Sequence, residues 1–112
     1  MPDKNTVILQ KMLNYCDNAV KYCAGCGYDD FVLNELYLTF SVFSLSQLGE
    51  LSTRLDRKFV ERHPDISWQA LRGIRNRIVH DYDSVKYKVL WDVLTNDIPM
   101  LKQQLLAVIN EI

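Results

Sequence analysis

No apolar run in this sequence approaches the roughly 20 residues that a membrane-spanning helix needs, which excludes a helical membrane protein. Glycine and proline are scarce, 4 and 3 in 112 residues, and no stretch alternates apolar and polar residues as a half-buried strand would. What remains is an all-α chain of one domain, 1–112, long enough for a single core and too short for two. Cysteine is sparse and odd in number, 3 in all, so free thiols are expected. Cys23-Ala24-Gly25-Cys26 is formally a CxxC pair, but zinc would want four ligands, only Cys16 lies nearby, and both histidines are far along the chain. No metal or other cofactor is expected. The N-terminal Met1–Asn5 is polar and the apolar positions after it are interrupted by Gln10, Lys11 and Asn14, so no signal peptide is expected and the location should be cytoplasmic.

An excess of one charge is also missing, with 13 basic and 14 acidic residues giving −1, which removes any global mark of a nucleic-acid binder. The distribution says more. Between Trp68 and Lys88 stand Arg72, Arg75, Arg77, Lys86 and Lys88 against only Asp81 and Asp83, a local +3, so the rest of the chain carries −4.

Along the chain, Ile8, Met12, Tyr15, Ala19 and Tyr22 follow helical spacing, with Leu9, Leu13, Cys16, Val20 and Cys23 widening the stripe. Cys16 and Cys23 read as small core residues on this face. Gly25 and Gly27 end the helix, and Asp29 or Asp30 can cap the next. From about Asp30 to Arg62 there is no proline and only Gly49, which predicts one long helix of roughly 50 Å. Phe31, Leu38, Val42, Leu45, Leu48, Leu51, Leu55 and Phe59 form its seam, so its first two thirds should be buried and its charged last third solvated. Glu50, a lone carboxylate between Leu36 and Thr53, either faces solvent or partners an arginine. Pro64 stops the helix, and Asp65 or Ser67 begins a third. Asp83 can cap a fourth, interrupted at Asn96-Asp97-Ile98-Pro99, with Pro99 acceptable in a first turn, before the apolar pattern runs on to Ile112. The expected architecture is an up-and-down bundle of four or five helices.

The stretch that looks like chemistry is Arg75-Asn76-Arg77-Ile78-Val79-His80-Asp81-Tyr82. A guanidinium holds its charge, an imidazole exchanges a proton near neutrality, and a phenol donates a hydrogen bond or accepts a modification, which together make a phosphate-handling set. The bland alternative is a helix end in which Arg75 pairs with a carboxylate, His80 caps the last carbonyls and Tyr82 is a core aromatic. On the third helix Leu71, Ile74 and Ile78 form an apolar stripe, Arg72, Asn76 and His80 a polar line, and Arg75 lies between. Arg75 and His80 are then about 140° apart around a straight helix, too far to meet at one phosphate unless the helix bends or a second molecule completes the site.

Arg75, four residues, His80, one residue and Tyr82 spell the motif RX4HXY, and the chain resembles the HEPN superfamily, most closely its HepT-type proteins. The resemblance extends to Tyr15-Cys16, Leu48-Gly49-Glu50, Pro64-Asp65-Ile66-Ser67-Trp68, Trp91 and Ile98-Pro99-Met100-Leu101. It implies a homodimeric helical bundle whose two motifs face each other and form a metal-independent endoribonuclease site. It also implies a toxin neutralised by a small nucleotidyltransferase antitoxin that transfers AMP to the motif tyrosine. Carried over residue by residue, Arg75 and His80 are catalytic, Asn76 supports them, and Tyr82 takes the AMP. The other function open to such a chain is that of a non-catalytic substrate-binding or regulatory subunit of a nucleotidyltransferase.

The chemistry fits these residue types. Cutting RNA without a metal requires taking a proton from a ribose 2′-hydroxyl, giving one to the leaving 5′-oxygen, and stabilising a crowded anionic phosphorane. One histidine does not readily do both, and His63, expected at the surface, is a poor second candidate. A dimer supplies a second His80. Arg75 would grip the phosphate with its bidentate fork, while Arg72, Arg77, Lys86 and Lys88 either guide the RNA or form a solvated face. AMP on Tyr82 would add bulk and negative charge beside the arginines.

Overall fold

The computed structural model describes residues 3–80 and 87–111, with backbone alone at Tyr22 and at residues 75–80. All of its described regular structure is helical: α1 (Lys4–Ala24), α2 (Tyr28–Val32), α3 (Glu35–Ser52), α4 (Arg57–Arg62), α5 (Trp68–His80), α6 (Tyr87–Asp92), a π-helical turn (Val93–Asp97) and α7 (Ile98–Glu111). Because α6, the π turn and α7 follow without a gap, the bundle has four long rods, with α2 and α4 as short connectors. The helical bundle expected from the periodicity is present.

α1 begins where the Asp3 carboxylate accepts the Thr6 N–H at 2.8 Å, a bond that also holds the Asp3 carboxyl below its ordinary range. Leu9, Met12, Cys16 and Ala19, spaced by three or four residues, are wholly buried. They meet Leu45, Leu48 and Leu51 of α3 and Leu101, Leu105 and Val108 of α7 in one core. The Lys102 ammonium, 2.8 Å from the Asp17 carboxylate, ties α7 to α1.

The long helix expected from Asp30 to Arg62 is instead three helices. Asn34 leaves the helical backbone and accepts the Tyr37 N–H on its side chain at 3.1 Å, starting α3 afresh. At the other end the hydroxyls of Ser52 and Thr53 donate to the carbonyls of Gly49 and Glu50, both at 2.6 Å. Asp56 is then drawn out of helical geometry by α1: its N–H donates to Asn5 Oδ1 at 3.1 Å, and its carboxylate accepts from Asn5 Nδ2 and Lys4 Nζ, each at 3.3 Å. The absence of proline allows a helix but does not require one when tertiary partners compete for the same backbone. Gly27, rather than Asp29 or Asp30, is the N-cap of α2.

The first part of α3 is also less buried than its seam implies. Leu45, Leu48 and Leu51 are in the core, but Leu36, Phe40 and Phe43 are 63%, 44% and 50% exposed. Two apolar stripes share this helix, and only one of them faces the core.

The interruption expected at Asn96–Pro99 takes the form of the π-helical turn, and Pro99 falls in the first turn of α7, which starts at Ile98, as expected; the rod itself does not break. Pro99 offers no N–H and its ring would strike the carbonyl four residues back; a widened turn in which Ile98 N–H reaches the Val93 carbonyl absorbs the conflict. The Thr95 hydroxyl donates to the Trp91 carbonyl at 2.8 Å in the same turn. Leu94 and Ile98 stay buried through it. Cys16, Cys23 and Cys26 are free thiols, the first two buried as expected. Among the described residues no helix is long and apolar enough to cross a membrane.

Candidate functional site

The helix carrying the motif is fixed at its start by a knot of polar contacts. The His63 carbonyl accepts both the Trp68 indole N–H at 2.9 Å and the Ile66 N–H at 3.3 Å, and the Ser67 carbonyl accepts the Leu71 N–H at 3.1 Å. Gln104 of α7 donates to the Asp65 carbonyl at 3.1 Å, so the loop before α5 is held from both sides. Ile66, Trp68 and Leu71 are buried and Ile74 packs against the core, which sets the rotation of α5. α5 packs along α3, and its beginning lies beside the end of α3, where Ser52 and Thr53 share a cleft with Trp68 and Arg72. The two helices are therefore antiparallel, and α5 carries the motif back along the half of α3 that also bears the exposed stripe.

Arg75, Asn76, Arg77 and His80 all lie on α5, on regular helical backbone. Register alone places Arg72, Asn76 and His80 along one line, with successive members about 6 Å apart along the axis, and Arg75 about 140° round from His80. The helix does not end between Arg75 and His80, so both positions share one helical register. Tyr82, Lys86 and the expected cap Asp83 lie outside the described residues.

Arg72 is exposed and makes no ion pair with a described residue. It lines a cleft of about 440 Å³ with Ser52, Thr53, Leu55, Arg57, Val60, Glu61 and Trp68. Arg57 Nε lies 3.0 Å from Glu61 Oε1, leaving the charge of Arg72 over as a net +1. Lys88 is differently placed: its ammonium sits 3.4 Å from the Asp92 carboxylate and 5.3 Å from the centre of the Tyr28 ring. Tyr28 in turn meets Trp91 edge-on, with ring centres 6.0 Å apart, and Trp91 packs on Phe31. Glu50 takes the arginine-partner option, its Oε1 3.8 Å from Arg54 Nη2 with the carboxylate half-buried. His63 is half-buried with its ring 4.5 Å from that of Phe59, at the end of α4 and away from the motif in sequence. Burial pushes the Cys16 thiol up to about 12 and the Cys23 thiol up to about 11. Among the described residues no three His, Cys, Asp or Glu side chains converge as a metal site would require.

Two features escaped the sequence reading. The stripe Leu36, Phe40 and Phe43 has its own spacing of four and three residues, masked by the stronger seam beside it. The cleft around Arg72 draws on α3, the turn after it, α4 and α5, and its formation depends on the break at Asp56, which no local pattern announced.

A family model described as "Ribonuclease HepT-like" matches residues 12–108. Among curated proteins, the chain is 27% identical over 103 residues to "Putative RNase TTE0752" of Caldanaerobacter subterraneus subsp. tengcongensis, covering 92% of each. It is 31% identical over 75 residues to "Probable ribonuclease HepT" of Thermococcus cleftensis, covering 67% of this chain and 68% of that one. It is 26% identical over 113 aligned positions to "Putative RNase MJ1216" of Methanocaldococcus jannaschii, covering 100% of this chain and 93% of that one. No solved structure gives a significant match.

Proposed function

The chain belongs to the HepT-like ribonuclease family, and from that premise we propose that it is a metal-independent endoribonuclease toxin acting as a homodimer, neutralised by a cognate nucleotidyltransferase. The observation that supports this reading is that Arg75, Asn76 and His80 share one regular helix, packed along α3, which carries an exposed apolar stripe, Leu36, Phe40 and Phe43. Helical register sets Arg75 and His80 about 140° apart on one copy of α5; a second copy seated on the stripe would bring two motif helices together.

In the assembled site, His80 of one protomer takes the proton of the ribose 2′-hydroxyl, whose oxygen attacks the adjacent phosphorus. The bond from phosphorus to the 5′-oxygen breaks, and the partner's His80 gives that oxygen its proton. The products are a 2′,3′-cyclic phosphate and a 5′-hydroxyl. Arg75 grips the phosphoryl oxygens as charge grows on them, and Asn76 positions the groups around it. The chemistry needs no metal, because two imidazoles and two guanidiniums supply both proton transfers and the charge stabilisation.

Tyr82, two residues beyond His80, is the site of AMP attachment. The added phosphate would occupy the arginines that bind the substrate and shut the site. The test is to treat the active protein with its cognate nucleotidyltransferase and ATP. Cutting should stop as the protein gains the mass of AMP on Tyr82, while Tyr82→Phe protein, given the same treatment, should go on cutting. Treated wild type that keeps cutting despite carrying AMP would sink this account of neutralisation.

A further inference from the structure

We propose that the cleft at the start of α5 is a subsite for a nucleotide of the RNA strand flanking the scissile phosphate, with Arg72 and Arg57 as its phosphate contacts. The inference rests on the ribonuclease reading above, and it adds residues that the motif does not contain.

Three observations converge. The cleft is on the motif's own helix: Arg72 stands two turns before His80 on the line through Asn76, about 12 Å along the axis, or on the order of two to four nucleotides of a single strand. Its lining is mixed in the way a nucleotide demands. Leu55, Val60 and Trp68 give it an apolar wall against which a base or ribose can lie, and Arg57 and Arg72 stand at its polar side. Its charge favours an anion: Glu61 is matched by Arg57 at 3.0 Å, and Arg72 has no carboxylate partner among the described residues. The hydroxyls of Ser52 and Thr53 are turned to their own helix carbonyls at 2.6 Å, so they cap α3 and do not compete for Arg72. A second hollow, of about 390 Å³ and lined by Lys58, Glu61 and Arg62, shares Glu61 with the first and extends the cationic path along α4.

A strand running from the motif would therefore place one phosphate between Arg72 and Arg57, with Arg57 keeping Glu61 on its Nε and offering its other N–H groups to the nucleic acid. The cleft would raise the affinity for longer substrates without contributing to the bond-breaking step.

The experiment measures kcat/KM on single-stranded RNAs with one cleavable position, extended a nucleotide at a time on either side. Wild type, Arg72→Ala, Arg57→Ala and Thr53→Trp, the last filling the cleft from an exposed position, are compared after confirming equal melting temperatures. The wild type should gain once the extension on one side reaches about two to four nucleotides, and Arg72→Ala should cut that gain roughly tenfold. Thr53→Trp should remove most of it. An identical gain in all four proteins overturns the subsite. If the wild type cuts nothing, anisotropy of the same labelled RNAs decides. Length-dependent binding lost in Arg72→Ala keeps the subsite and discards the nuclease, while binding that ignores length and Arg72 discards both. A polyglutamate peptide that displaces the RNA as well as an oligonucleotide of equal charge would also overturn it, since the cleft would then recognise only charge.

Discussion

Asn5 and Asp56, 51 residues apart, hold each other by two hydrogen bonds: Asp56 N–H to Asn5 Oδ1 at 3.1 Å and Asn5 Nδ2 to Asp56 Oδ2 at 3.3 Å. Asn5 is 8% exposed, so its amide has little access to water as a substitute partner. The pair holds Asp56, the N-cap residue of α4, and with it the position of Arg57 against Arg72.

Asn5→Ala should therefore lower stability by about 1–3 kcal/mol and melting temperature by several degrees. Removing Lys4, whose ion pair with Asp56 is more than half exposed on both sides, should cost well under that. Thermal unfolding followed by circular dichroism checks both. Equal melting temperatures for wild type and Asn5→Ala would show that the turn is held by other means.

Phe40→Asp should convert a dimer to a monomer and abolish cleavage, because it places a charge in the middle of the exposed stripe of α3. Met100→Asp, at a comparably exposed apolar residue on α7, should leave the dimer intact. Light scattering at micromolar concentration reads the outcome. A wild type that is monomeric but active would rule out the composite site.

The three thiols should separate by reactivity. Cys16, with its pKa pushed up to about 12, and Cys23, pushed up to about 11, are almost wholly protonated at pH 8, and Cys16 is also fully buried. Alkylation should reach half-buried Cys26 first and Cys16 only on unfolding. Both raised values stabilise the fold fully below the ordinary value of 9.0; that contribution is lost as pH rises from about 9 through 11 to 12, because the unfolded thiols ionise first. Denaturant midpoints across that range should fall, and Cys16→Ala should flatten the fall.

Lys88→Ala should reduce RNA binding less than Arg72→Ala does. Its ammonium is already engaged by Asp92 at 3.4 Å and by the Tyr28 ring, so it would reach a phosphate only by giving up those contacts. Salt-dependent binding measurements compare the two; an equal or steeper loss at Lys88 would reverse the assignment.

The bundle was legible in the sequence because its periodicity is strong wherever the core is built: Leu9, Met12, Cys16 and Ala19 on α1, and Leu45, Leu48 and Leu51 on α3, are buried as their spacing requires. The breaks were not, because the causes are distant. Asn5 and Lys4 act on Asp56 from 51 and 52 residues away, and only in the folded state. At Pro99 the local signal was met in part: the α-helix is interrupted and restarts at Ile98, while the core keeps Ile98 buried and the rod continuous through a widened turn. Of the site, the motif and its register were readable because helical geometry fixes Arg75 against His80. The cleft at Arg72 was not, since it gathers side chains from segments that meet only after α3 has ended.

Unmodified protein incubated with labelled single-stranded RNA in excess EDTA, beside His80→Ala and Arg75→Ala, decides whether this is a metal-independent ribonuclease. The wild type should cut, leaving 2′,3′-cyclic phosphate ends, and each variant should lose at least a hundredfold in rate, in keeping with loss of a general acid–base or a phosphate clamp. Cutting that vanishes in EDTA and returns with a divalent metal, or that survives in His80→Ala, would contradict it.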